Sequence, residues 1–315
     1  MKVSVIVTLK NEVNNIKILL DSLLVQSREP DEIVFCDNNS SDGTAEVIKE
    51  YILKNAPIKL IVKEANIAKG RNIAIDNAIF DIIAVTDAGC RADRNWLRNL
   101  VQPFEEDEGT MVVGGFFKAD CTSLFEKCYV SITLRDHDNI NLLNWSPSSR
   151  SIAFKKEAWH KVGGYPEHLT GAGEDTLFNI SLRKAGYKFK FALKALVHWK
   201  PRSNIKSFFT QYFNYSRGDG QALIYWNLYL RKILAYTLGM FLLIEGSKYS
   251  LLWIVLVLAA FSYLVFKSFK PWRKIRGWKS AILIPVLIII LDLAYNLGFT
   301  QGVLDNFIKE KKIDC

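Results

Sequence analysis

Four consecutive apolar residues, Ile82 to Val85, followed at once by Thr86-Asp87-Ala88-Gly89, set the strongest limit on what this chain can become. A short run with β-branched residues and no polar alternation reads as a strand buried on both faces, which requires a sheet covered by helices on either side. The run ends in an acid, a small residue and a glycine. A carboxylate therefore stands at the C-terminal edge of the strand, where the loops of an open α/β sheet leave a crevice for ligands. Gly89 reads as the residue that turns the chain away and leaves Asp87 facing a ligand or a metal. An Asp after a strand also starts ordinary turns, so the surrounding pattern decides the weight of this reading.

Upstream, the pattern repeats. Lys2 to Thr8 reads as a strand, and Glu12 to Ser27 carries Ile16, Leu19, Leu20, Leu23 and Leu24 at helical spacing. Glu32 to Asp37 is a second strand, ending in the turn-forming loop Asp37-Asn38-Asn39-Ser40-Ser41-Asp42-Gly43 before a helix from Thr44. Ile58 to Lys63 and Ala68 to Ala78 continue the alternation, which implies an α/β, mostly parallel sheet of Rossmann-like type with right-handed crossovers. Glu12, Asp37 and Asp87 thus come to one sheet edge. Beyond a helix near Arg94–Phe104 and a strand near Met111–Phe117 the alternation fades. A helix is expected over Ser123–Leu143, a strand over Ser151–Phe154 and a short helix over Lys156–Val162. Gly163-Gly164-Tyr165-Pro166 reads as a turn. Glu174 and Asp175 open a further helix, where acids complement the helix dipole whatever else they do. Two short strands, Lys188–Ala192 and Leu196–Trp199, bring up His198. Asp136-His137-Asp138 has the composition of a metal site, but adjacent residues on a helix point apart, and His160 and His168 are isolated.

The second part of the chain changes character. Of 315 residues, those up to about Trp226 mix charged and apolar types, and three apolar blocks follow: 233–244, 251–266 and 281–303. Only the last comfortably meets the roughly 20 residues needed to span a bilayer core, and the first reads as a short or re-entrant piece. The opening apolar run of about six residues reads as a strand instead of a signal peptide. The net charge of +9 is concentrated in Lys267, Lys270, Arg273, Lys274, Arg276 and Lys279, between the second and third blocks. Such a loop belongs on the cytoplasmic side, and its contacts are expected with anionic headgroups and not with nucleic acid. With a cytoplasmic N-terminal domain, the first two blocks form a hairpin. The third strains the charge rule, because it places Lys309, Lys311 and Lys312 outside and holds Asp292 within it. Five cysteines without paired short spacing fit reduced thiols in a cytosolic domain.

Taken in order, SVIVTLKNE (Ser4–Glu12), CDNNSSDGT (Cys36–Thr44), NIAKGRNIAI (Asn66–Ile75), TDAGCR (Thr86–Arg91), GGY (Gly163–Tyr165), GEDTLF (Gly173–Phe178) and RKAGY (Arg183–Tyr187) resemble glycosyltransferase family 2. The resemblance implies a GT-A fold over residues 1–217, followed by a membrane region over 218–315. It also implies an inverting transfer from a nucleotide-activated sugar with a divalent cation, Mn2+ or Mg2+. Position by position, Thr8, Glu12, Asp37 and Asn39 fall in the loops that hold base and ribose, and Arg71 in the segment approaching the nucleotide. Asp87 matches the first acid of the Asp-x-Asp metal motif. Glu174 and Asp175 match the catalytic acid pair, with Asp175 as general base, and His198 lies where some relatives place a further metal or diphosphate contact.

Two departures stand out. Thr8 occupies a position usually held by proline, and the metal motif is reduced to Asp87-Ala88-Gly89, one carboxylate short. A small hard cation is still held by one carboxylate, waters and diphosphate oxygens, with His198 or Asp93 as further ligands. The chemistry fits the residues independently. Breaking a sugar–diphosphate bond needs cationic stabilisation of the leaving group, and the acceptor hydroxyl needs a carboxylate within reach to take its proton. Gln211 and Arg217 resemble the acceptor-covering helix of family synthases, but the Gln-x-x-Arg-Trp signature of processive enzymes is missing, so one sugar per encounter is expected. The helix Ile205–Arg217, rich in aromatics, is expected along the membrane surface. The expected function is transfer of a sugar, with UDP as the expected carrier, to a lipid-linked or membrane-associated glycan in cell-envelope synthesis. A polyprenyl-phosphate glycosyl synthase is the alternative within the class, and a non-catalytic membrane scaffold the alternative outside it.

Overall fold

The computed structural model describes residues 1–134, 145–246 and 248–313, so Asp136-His137-Asp138 lies outside the described residues. The chain forms two compact units. The first comprises Met1–Asp120, residues 145–170 and Glu174–Lys200; the second comprises residues 121–134, Gly171–Gly173 and 201–313.

The first unit is an eight-stranded sheet in the order β3-β2-β1-β4-β7-β6-β8-β5. Its strands are β1 (Val3–Leu9), β2 (Glu32–Asp37), β3 (Ile58–Val62), β4 (Ile82–Val85), β5 (Cys90–Ala92), β6 (Val112–Ala119), β7 (Ile152–Lys155) and β8 (Phe189–Trp199). The half running from β3 to β4 is parallel. Beyond it β7 inserts antiparallel between β4 and β6, β8 runs parallel to β6, and β5 closes the edge antiparallel to β8. The helices are α1 (Val13–Leu24), α2 (Thr44–Ile52), α3 (Ile67–Asp76), α4 (Trp96–Glu106), α6 (Lys156–Lys161) and α7 (Glu174–Lys184); α5 (Leu124–Thr133) belongs to the second unit.

Strand alternation divides the core cleanly. Val5, Val7, Ile33, Phe35 and Ala84 pack with Leu19, Leu23, Ile48 and Leu100 of α1, α2 and α4 on one face. Ile6, Val34, Ile83 and Val85 pack with Ile75, Trp159, Phe178 and Leu182 of α3, α6 and α7 on the other. Both faces being covered is why these strands are continuous apolar runs. Two details differ from expectation. Lys188–Ala192 and Leu196–Trp199 form one strand, β8, which bridges the polar Lys194 because a register shift between Gly114 and Phe116 lets β6 follow it. Gly89 has no left-handed φ, and its turn is instead closed by Cys90 N–H donating to the Asp87 carbonyl at 3.0 Å, a geometry any residue adopts.

The second unit contains α5, α8 (Ile205–Gln221), α9 (Trp226–Gly246), α10 (Ser250–Ile275) and α11 (Trp278–Ile313). Among the described residues three stretches are long and apolar enough to cross a membrane: Trp226–Gly246, Trp253–Ile275 and Trp278–Ile308. The first helix is longer than its apolar block. Polar residues flanking the apolar block continue the helix to 21 residues, about 31 Å. The third differs from its companions, since 44% of its apolar window is covered by protein against 6% in each of the others. The cover is α8. A Cβ at Gly302 would lie 2.0 Å from the Arg217 carbonyl oxygen, and one at Gly298 would lie 2.3 Å from that of Phe213, so the two helices meet backbone to backbone, as small residues allow. Arg217 Nε and Gln221 Nε2 both donate to Asp305 Oδ2, at 2.6 and 3.0 Å. The aromatic helix is therefore packed along α11, and Arg217 fastens the pair.

Candidate active site

Parallel register brings the ends of β1 and β2 level, Leu9 pairing with Asp37, while β4 ends earlier, its last residue Val85 pairing with Ile6. The loops leaving β1 and β2 are stitched to each other. Asn11 N–H donates to Ser40 Oγ at 2.8 Å, Glu12 N–H to Thr44 Oγ1 at 2.9 Å, and Ser41 N–H to Asn11 Oδ1 at 2.9 Å. Asn11 and Asn39 take left-handed φ values of 56° and 47°, which Asn tolerates because its short side chain bonds locally. Within this frame Asp37 is wholly buried. Its Oδ1 accepts from Ser40 N–H and Oγ, at 3.0 and 2.6 Å, and its buried Oδ2 has no partner among the described residues. Asn39 is exposed, and Glu12 Oε2 accepts from Asn15 Nδ2 at 2.7 Å. Thr8 faces α3 where a Cβ at Gly70 would meet Thr8 Oγ1 at 2.3 Å. Only glycine lets α3 come that close.

The next residue of α3 is the centre of the site. Arg71 is 2% exposed; one terminal nitrogen donates to Asp87 Oδ1 at 2.8 Å and the other to Glu174 Oε1. One planar cation thus joins Glu174, 103 positions along the chain from Arg71, to Asp87, 16 positions from it. Its carbon lies 5.3 Å from the centroid of the Tyr165 ring. The Tyr165 hydroxyl pairs with Ser149 Oγ at 3.1 Å, and Ser149 N–H and Ser148 Oγ donate to Asp175 Oδ2 at 3.3 and 3.4 Å. A continuous chain of contacts therefore links Asp87, Arg71, Tyr165, Ser149 and Asp175. Burial pushes the Glu174 carboxyl above the usual carboxylate range, Arg71 pulls it back and Asp175 adds to the rise. Burial alone would lower the Arg71 pKa, but Glu174 and Asp87 more than reverse this and keep the guanidinium charged. Burial and then Asp87 push the Cys90 thiol up to about 12, and burial and Asp37 push Cys36 up to about 11; both stay protonated and neither is a nucleophile.

A second cation stands beside the first. The Arg150 guanidinium lies 4.8 and 4.7 Å from the ring centroids of Phe117 and Trp199 and its Nε is 3.9 Å from Asp87 Oδ2. His198 is placed differently from its neighbour Trp199, since successive residues of a strand face opposite ways. Its Nε2 is 2.9 Å from Asp93 and its Nδ1 3.2 Å from Asp120.

These residues sit within a domain of known kind. The glycosyl transferase family 2 profile matches residues 4–159. The chain carries a glycosyl transferase family 2 domain. The O-antigen chain rhamnosyltransferase of Salmonella typhimurium is 25% identical over 226 residues, covering 68% of this chain and 71% of that protein. Among solved structures, residues 1–349 of S. aureus TarS in complex with UDP match with a TM-score of 0.53 at 17% identity, covering 95% of this chain and 90% of that one. GalNAc-T7 with UDP, GalNAc and Mn2+ matches with a TM-score of 0.51 at 18% identity over 70% of this chain and 47% of that one. The structural likeness establishes the GT-A fold, and the family match identifies the chain as a glycosyltransferase.

In this glycosyltransferase the structure joins Arg71, Asp87 and Glu174 directly and Asp175 through side chains that sequence reasoning left without a role: Tyr165, Ser148, Ser149 and Arg150. The Gly163-Gly164-Tyr165 motif was the one available signal. Both glycines have left-handed φ, 76° and 78°, and a Cβ at Gly164 would lie 2.9 Å from Asn72 Oδ1, so they deliver Tyr165 against the residues of α3. Among the described residues no group of three His, Cys, Asp or Glu side chains is set to hold a metal ion. A divalent cation here would rest on Asp87, whose side chain is 30% exposed and whose Oδ2 lies 3.9 Å from Arg150 Nε. Water and diphosphate oxygens would complete the coordination, which hard cations accept.

Proposed function

We propose that this glycosyltransferase moves a sugar from a nucleotide diphosphate sugar, with UDP as carrier, onto a hydroxyl of a lipid-linked or membrane-associated glycan, with inversion at the anomeric carbon. The observation that carries this reading is the single buried Arg71 joining Asp87 to Glu174 beside a tethered Asp175. The buried, unpartnered Oδ2 of Asp37 suits the N–H of a uracil base, and TarS, of the same fold, is seen with UDP. Asp87 would hold Mn2+ or Mg2+, which when bound offsets the charge of the departing diphosphate. Arg71 orients Asp87 and Glu174 and keeps their charges compensated. Asp175 accepts the proton of the attacking acceptor hydroxyl, fixed for that task by Ser148 and Ser149 and by Thr176 N–H at 2.8 Å. Three long apolar helices follow the catalytic residues in sequence; they suit a multi-pass protein with the catalytic unit and the basic loop on the cytoplasmic side, and an acceptor carried by the membrane.

The test is nucleotide release by the detergent-purified chain against a panel of UDP and GDP sugars, with Mn2+ or Mg2+ and with chelator. Slow turnover of one donor that vanishes with chelator and in Asp87→Ala is the expected result, and absence of turnover and of nucleotide binding for every donor overturns the reading. Asp175→Asn then separates acceptor types. A loss of about a hundredfold or more marks a hydroxyl acceptor that needs a base, whereas near-normal transfer marks a phosphate acceptor.

A further inference from the structure

The three long helices of the second unit share a polar cluster that the transfer reaction does not use. Asp292 of α11 is 2% exposed. Lys232 of α9 donates to its Oδ1 at 3.0 Å; Tyr236 of α9 and Lys267 of α10 donate to its Oδ2 at 2.7 and 3.4 Å. Each ammonium also stands over a tyrosine ring, Lys232 over Tyr295 and Lys267 over Tyr263, both at 4.8 Å.

One lysine would neutralise Asp292, and here there are two. Among the described residues Asp292 is the only carboxylate paired with either, so the cluster carries one excess positive charge. The carboxylate is sealed inside while the lysine side chains are 27% and 36% exposed, so the two lysines are reachable from outside although Asp292 is not. Lys232 lies six residues inside the Trp226 end of α9 and Lys267 eight residues inside the Ile275 end of α10, which is about 9 and about 12 Å. Both ends carry further basic residues, Arg231 on α9 and Lys270 and Arg273 on α10. The cluster thus sits just below the basic boundary of helices able to cross a membrane. An uncompensated charge there is expensive, and the anion available at that depth is a phosphate on a lipid.

We propose that Lys232 and Lys267, held apart by Asp292, form a binding site for a lipid phosphate. The chemistry is shared by an anionic phospholipid and by a phosphate-bearing isoprenoid lipid, and the second source would tie the site to a membrane-borne acceptor. Asp292 tunes the site, since it draws both ammoniums inward and weakens their hold on an incoming anion.

Native mass spectrometry of the detergent-solubilised full chain tests this without donor or acceptor turnover, so its outcome is independent of the transferase assay. The chain is titrated with phosphatidylcholine, phosphatidylglycerol and undecaprenyl phosphate. Phosphatidylglycerol should bind more tightly than phosphatidylcholine, and a phosphate monoester that binds more tightly still identifies the isoprenoid source. Lys267→Gln should weaken phosphatidylglycerol binding about fivefold, Lys267→Arg should preserve it, and Asp292→Asn should strengthen it. Equal binding of the neutral and anionic phospholipids by the unmodified chain overturns the proposal. So does an unchanged preference in Lys267→Gln; if that variant does not fold, an unchanged preference in Asp292→Asn is equally decisive.

Discussion

Replacing Arg71 by methionine removes a buried cation that touches both Asp87 and Glu174 while keeping most of the side-chain volume. Asp87 is 30% exposed and retains Arg150 within 3.9 Å, so water and the second guanidinium soften its loss. Glu174 is 6% exposed and loses its buried counter-charge. Removing one partner of a buried ion pair destabilises by about 3–5 kcal/mol, because the remaining charge stays buried, and for a unit of this size that lowers the melting temperature by about 6–20 °C. The pH dependence identifies the cause. Burial already raises the Glu174 pKa above its ordinary value and Arg71 opposes the rise, so without Arg71 it goes higher. A carboxyl whose folded pKa is raised binds its proton more tightly folded than unfolded; stability is then lost as pH rises from the unfolded pKa through the folded one. The gap between Arg71→Met and the unmodified chain should therefore be widest near pH 7.5 and narrow towards pH 5, followed by thermal unfolding in detergent. A gap below about 1 kcal/mol, or one equal at both pH values, would refute the assignment of Glu174 as the stranded charge.

Asp37→Asn keeps the acceptor that faces Ser40 but puts an NH2 group where the unpartnered Oδ2 stands. A base N–H that bonded to the carboxylate loses its acceptor, and UDP binding measured by calorimetry should weaken about tenfold to a hundredfold, the worth of a hydrogen bond to a charged group. Gly302→Ala puts a methyl group 2.0 Å from the Arg217 carbonyl oxygen and 2.9 Å from the Gln221 nitrogen. Both are backbone atoms, so α8 and α11 must separate, and detergent-solubilised stability should fall by about 1–3 kcal/mol, whereas Gly239→Ala, inside α9 and meeting nothing within 4 Å, should not lower it.

What the sequence revealed of the fold follows from burial. β1, β2 and β4 are legible because helices cover both faces and most of their residues are apolar, and their ends bring Asp37 and Asp87 to one edge without further information. β5 escapes notice because three residues, Cys90 to Ala92, carry no periodicity and the strand exists only through its pairing with β8. The antiparallel insertion of β7 is equally invisible, since Ile152 to Lys155 reads the same in either direction. The site divides the same way. Strand-end acids and the Glu174-Asp175 pair announce themselves by position. Tyr165 and Ser149 do not, because their contacts, Arg71 under the ring and Asp175 at the end of the chain, are set by how loops fold across the sheet. Arg217 was read as part of an acceptor-covering helix, and its partner Asp305 is 88 residues away.

The missing second carboxylate of the metal motif is open to direct repair. Gly89 has no left-handed φ, and a Cβ built there meets nothing within 4 Å, so neither backbone strain nor crowding stands against an aspartate. Its neighbour Ala88 is 4% exposed, and a charged residue there would have to be buried. Gly89→Asp therefore adds a carboxylate two residues from Asp87 at little folding cost. If a cation rests on Asp87 together with water and diphosphate, a second carboxylate replaces one neutral ligand by an anionic one. Half-saturation for Mn2+ in the donor-hydrolysis assay should then fall by about tenfold or more, since even indirect ligand supports change metal affinity by this much. The double variant Asp87→Ala/Gly89→Asp should not show the gain, because the new carboxylate would act alone. A Gly89→Asp chain that is folded, binds UDP and needs the same Mn2+ concentration as the unmodified one would mean that the cation does not approach this turn, leaving Arg71 and Arg150 as the groups that face the diphosphate.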